Sequence, residues 1–248
     1  MKSFLIRSVV LSSTVLLGSL TFLAVVYQST QSEPDFYRRA LKVEAEVYAS
    51  AGEELEIEAL ELRNQIVTED RWNATFTDEQ MNGWLAIDLP DKFPGRLPKS
   101  VTDPRLRVEN GKVTLACRYQ GDAFQGIVQL ECEPFLTDAD NEIGLKVCHL
   151  KTGWVPLPID TWLNEVSQKS SRFGVPIRWT QEGGQPVALL VLPLDNVDKD
   201  RKIVLEQLIC EQGRLQLSGR TEPTESVIES EPTQVAEGPS TDDQSIRQ

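Results

Sequence analysis

The sequence predicts an α+β protein: an N-terminal transmembrane helix, a long acidic helix, and then a curved antiparallel sheet with one or two packed helices. Three observations predict it. Residues 8–27 carry no charge; residues 32–66 repeat apolar side chains at helical spacing beneath a cover of glutamates; residues 105–220 alternate apolar and polar side chains between turn signals. Period 3.6 followed by period 2 is the mark of helices succeeded by half-buried strands.

The uncharged run from Ser8 to Tyr27, at about 1.5 Å per residue, covers roughly 30 Å, the thickness of a bilayer's hydrocarbon core. Lys2 and Arg7 stand in the flank 1–7, and Tyr27 occupies an interfacial position. A cleaved signal peptide has a shorter apolar stretch and small residues at its cleavage site. Here the stretch is longer and Thr30-Gln31-Ser32 is a poor site, so residues 8–27 are expected to remain as a single-pass signal anchor with the lipid bilayer as partner. The bulk of the chain is then expected to be extracytoplasmic, although Arg38, Arg39 and Lys42 oppose that orientation under the positive-inside rule.

Ser32-Glu33-Pro34-Asp35 is a helix start, with Ser32 as N-cap. Leu41, Tyr48, Leu55 and Leu62 then recur every seven residues to Ile66, forming a narrow apolar seam among seven glutamates between positions 44 and 61. The seam is either a partner surface or the face that packs on the chain's own domain. Gly52 costs a helix about 1 kcal/mol relative to alanine and marks a potential break.

Phe76-Thr77-Asp78-Glu79-Gln80-Met81-Asn82-Gly83-Trp84-Leu85 is locally the most specific stretch. Thr77 and Gln80 have the spacing of a capping box, and Leu89-Pro90 is expected to end the helix. Asn82 and Gly83 are poor helix formers. Either Asn82 tethers the loop 91–98 and Gly83 admits a strand, or Asn82 and Trp84 line a binding groove. This stretch, after a single span and before a β-rich region, resembles the uncharacterised YpmS-like family of single-span membrane-anchored bacterial proteins. The resemblance implies an envelope-facing domain and no catalytic residue; Met81 stands where that pattern usually has leucine.

Hairpins follow at Asn110-Gly111, at 138–142, at 182–185 and at Gln212-Gly213. Pro158 to Phe173 reads as an amphipathic helix. So long a sheet must curl or split, and a curled one over a helix encloses an apolar trough. The α+β domain is bounded at 70–220. Residues 221–248, rich in Pro, Ser, Thr and acids, are expected to be a disordered acidic tail.

Lys plus Arg number 25 against 38 Asp plus Glu, a net charge of −13, which excludes nucleic acid as a partner by the basic surface it requires. No catalytic, cofactor-binding or metal-ligating motif is present: Asp138-Ala139-Asp140-Asn141-Glu142 begins like a calcium loop but lacks the glycine and the closing glutamate. The lone His149 reads as structural. Cys117 and Cys132 fall on one apolar face of adjacent strands, where a disulfide is a possibility beside buried free thiols. The sequence therefore points to a non-enzymatic, membrane-anchored protein binding a hydrophobic or lipid-like ligand. The alternatives are an envelope scaffold or oligomerisation module acting through the seam helix, and a carboxylate-based hydrolase.

Overall fold

The computed structural model describes residues 19–21, 24–121, 124–159, 177–192 and 201–223. The fold is α+β with antiparallel strand pairing. Helices α1 (Asp35–Ala40) and α2 (Ala45–Thr68) precede β1 (Arg71–Thr77). Next come α3 (Asp78–Gly83), a π-helical turn (Trp84–Asp88) and α4 (Leu89–Lys92). The strands that follow are β2 (Val101–Glu109), β3 (Lys112–Gln120), β4 (Gln125–Leu136), β5 (Glu142–Thr152), β6 (Val155–Pro156), β7 (Ile177–Glu182), β8 (Gln185–Val191), β9 (Arg201–Glu211) and β10 (Arg214–Pro223).

The strands divide into two sheets, a three-stranded β1-β10-β9 and a seven-stranded β2-β3-β4-β5-β8-β7 with β6 on β5. The expected curl is thus resolved by splitting. Turn chemistry fixes the registers. Asn110 and Gly111 take φ of 52° and 76°, the pair of positive values that a two-residue hairpin turn needs, and Glu109 faces Lys112 across it. Gln212-Gly213 and Gly183-Gly184 repeat the device.

Among the described residues three clusters fill the interior. Phe36 and Tyr37 of α1 pack with Ala116 and Ile127 on one face of the larger sheet. Cys117, Val128 and Leu150 form a second cluster on the other, with Tyr119, Phe124 and Leu157 against them. Ile66 of α2 meets Trp72, Ile203 and Leu205 over the smaller sheet. Trp72 fits because its cross-strand partner is Gly219, where a Cβ would stand 2.3 Å from the indole.

Several expectations are corrected. The acidic helix does not begin at a Ser32 cap. Pro34 is the N-cap of α1 without a side-chain bond, and the break falls between α1 and α2 rather than at Gly52, through which α2 runs unbroken. Pro90 does not end the helix. The π-turn moves it into the first turn of α4, where a missing N–H costs nothing. Strand β1 was not expected, and β10 extends through residues 221–223 of the anticipated tail.

Among the described residues no helix is long and apolar enough to cross a membrane. Most of the run 8–27 lies outside them, as do residues 160–173 of the expected amphipathic helix and residues 224–248 of the tail.

Candidate functional site

The capping box forms as spaced: Thr77 Oγ1 accepts from Gln80 N at 3.2 Å and Gln80 Oε1 accepts from Thr77 N at 2.9 Å. It starts α3 immediately at the end of β1, and α3 then crosses α2 at two glycines. A Cβ on Gly83 would stand 2.4 Å from Tyr48 O and 2.7 Å from Gly52 N; a Cβ on Gly52 would stand 2.1 Å from Asp88 Oδ2. These contacts explain two glycines that helix propensity disfavours.

Asn82 is buried and does not tether the loop 91–98. Its amide donates to Leu106 O at 2.8 Å and accepts from Leu106 N at 2.7 Å, pairing with β2 as another strand would. Asn141 does the same elsewhere: its side chain donates to Ile203 O at 2.7 Å and accepts from Leu205 N at 2.9 Å, clipping the β4–β5 turn to β9. Each satisfies one buried donor and one buried acceptor at a strand edge.

Between the π-turn, α4, the loop 93–100 and the start of β2 lies a half-open groove of about 450 Å³. Leu85, Leu89, Phe93, Leu97 and Val101 supply its hydrocarbon, with Lys99, Asp103 and Arg105 as charged members. Trp84, half-buried, lies 6.0 Å from Phe93 by ring centroids and so sits behind this wall. Arg105 is only 8% exposed. Its guanidinium lies 5.3 Å from the Tyr48 ring centroid and donates to Pro104 O at 2.7 Å, while Nε has no hydrogen-bond partner. Among the described residues no carboxylate forms an ion pair with it, although Arg118 is paired with both Glu33 and Asp103. A buried cation without a counter-ion is costly unless a ligand supplies one.

The other anticipated residues are placed as follows. Tyr48 is buried and donates its hydroxyl to Ala40 O at 2.8 Å. Leu41 packs on the Phe36–Tyr37 cluster and Leu62 on the Ile66–Trp72 cluster, while Leu55 is half-buried, so the seam is occupied within the chain. Cys117 faces Val128 and Cys132 faces Val113, four residues apart along the ladder, and all four cysteines are free. A Cys117–Cys132 bridge is therefore out of register. Burial pushes the Cys117 thiol up to about 11 and the Cys132 thiol up to about 12, so both stay protonated and unreactive.

His149 is exposed on β5 with Nδ1 3.4 Å from Glu131. Asp140 pairs with Lys202 at 2.9 Å and Glu142 with Arg178, and among the described residues no group of three or more His, Cys, Asp or Glu is placed to hold a metal ion. Sequence reading missed Arg105 and the groove. The available signal was the Pro-rich segment 89–104, with four prolines and with Leu89, Phe93, Leu97 and Val101 spaced four apart.

No family model, no curated protein and no solved structure matches the chain.

Proposed function

We propose that this chain is a membrane-anchored, extracytoplasmic, non-enzymatic protein that binds an anionic amphiphile in the groove beside β2. The observation that carries the reading is the pairing of a hydrocarbon-lined groove with the buried Arg105 at its wall, to which no carboxylate among the described residues is paired. A fatty-acid-like ligand would place its chain against Leu85, Phe93 and Leu97 and its carboxylate on the guanidinium. The described lining contains one acid, Asp103, whereas hydrolysis through paired carboxylates requires two.

A fluorescent fatty acid tests this on the full chain in detergent. A hydrogen bond to a charged group contributes about 1.5–3 kcal/mol, so the methyl ester of the same probe is expected to bind about tenfold or more weakly. Leu97→Trp, at a half-buried position of the groove wall, is expected to abolish binding and leave the melting temperature near native. Equal affinity for acid and ester, or no binding at all, would remove the proposal.

A second reading, a scaffold, is favoured by the outward face of α2. There Ile57 and Leu60 are 63% and 64% exposed, one turn apart and opposite the occupied seam. The double substitution Ile57→Glu and Leu60→Glu is expected to reduce cross-linked oligomers to monomer; an unchanged ladder would discard the scaffold.

A further inference from the structure

The chain passes from its apolar run into the folded body without slack. Residues 24–30 are helical, and residues 29–33 are tied to one end of the seven-stranded sheet. Ser29 Oγ accepts from Trp154 N at 3.2 Å, Thr152 Oγ1 donates to Thr30 O at 3.4 Å, Gln31 Nε2 donates to Gln125 O at 2.8 Å, and Glu33 pairs with Arg118 at 2.7 Å. Two glycines permit the approach: a Cβ would stand 2.6 Å from Thr30 O at Gly126 and 2.0 Å from Ser29 O at Gly153.

This end of the sheet has its own chemistry. Thr152 to Ile159 carry no charge. Trp154 is 58% exposed and Tyr27 65%. Tyr119 and Phe124 stack nearby at 4.9 Å. The far end of the same strands is charged, with Glu109 and Lys112 flanking one turn and Asp138 and Asp140 in another.

We propose that the uncharged segment 152–159 at this end is a lipid-surface contact, with the Trp154 indole among the headgroups of the leaflet adjoining Tyr27. The proposal rests on the reading of residues 8–27 as a bilayer anchor, and the geometry of the junction sets the height. Ser29 lies two residues past Tyr27, about 3 Å at helical rise. The polar layer on each side of a bilayer is about 5–7 Å deep. Trp154, held at Ser29, falls inside that layer, where indole rings with one wet edge are favoured.

The groove follows from the same placement. Strand β2 begins at this end, with Gln120 N donating to Ser100 O at 2.8 Å. Three strand spacings, about 14 Å, separate β2 from β5. The β2 rim of the groove, at Lys99 and Val101, therefore lies at the same end of the sheet as Trp154.

The full chain reconstituted in phosphatidylcholine vesicles, with acyl chains brominated near the headgroup, provides the test. Expected are flotation with the vesicles and quenching of tryptophan emission that is lost in Trp154→Phe and kept in Trp179→Phe. Flotation with the same quenching in Trp154→Phe as in the native chain overturns the contact and leaves the anchor standing. A chain that does not float overturns the anchor and the contact together.

Discussion

Asn141→Ala is expected to lower the unfolding free energy by about 2–6 kcal/mol, because it orphans two buried backbone groups at about 1–3 kcal/mol each. Those groups are Ile203 O and Leu205 N, both on β9 in the core of the smaller sheet. Asn141 also sits at φ 56°, a conformation asparagine tolerates and alanine resists. Asn141→Asp separates the two causes. It keeps the turn preference and the acceptor for Leu205 N, and turns a second oxygen toward Ile203 O where a donor stood. Its expected cost is close to that of alanine. Urea unfolding followed by circular dichroism reads both, and a loss below about 0.5 kcal/mol, the range of ordinary surface changes, would show that the clip holds nothing together.

Gly83→Ala is the second large effect, and its sign is diagnostic. At an exposed helix position the exchange would stabilise by about 1 kcal/mol through propensity. Here the added methyl meets Tyr48 O at 2.4 Å and Gly52 N at 2.7 Å, and both are backbone atoms of α2 that no rotamer change can move. Overpacking of this kind costs about 1–3 kcal/mol, at times more. The variant is therefore expected to melt several degrees lower, by about 2–4 °C per kcal/mol for a chain of this size. A melting temperature at or above native would mean that the helices part freely, and the crossing would then not be what positions Asn82 on β2.

The α+β class and every hairpin with a glycine turn were legible because their signals are local. Asn110-Gly111 and Gln212-Gly213 demand positive φ wherever they fall, and Thr77 with Gln80 satisfies two N–H groups whatever lies beyond. The seam of α2 was also legible, but its occupant was not. Leu62 packs on Trp72, Ile203 and Leu205 through a tertiary arrangement that no spacing encodes, while Leu41 falls at the end of α1, on the Phe36–Tyr37 cluster.

Strand β1 escaped notice because its partner, β10, lies at the far end of the chain. The groove was hidden for a related reason: Arg105 reads as one more exposed basic residue until Tyr48 covers it. The cysteine pair shows the limit from the other side. Shared face was inferred correctly, but alternation leaves register free, and the ladder sets Cys117 and Cys132 four positions apart.

The pairing of Arg71 with Arg220 has a consequence for how the molecule comes into being. Ribosomal synthesis is vectorial, and contacts of high sequence separation close last. Trp72 and Ala74 must wait for β10 before water leaves them. A chain stalled or clipped ahead of residue 214 would carry a completed larger sheet and an open seam at its beginning, a shape that quality-control proteases and chaperones recognise. Trp72 emission is thus a natural clock for the docking of β10 on β1.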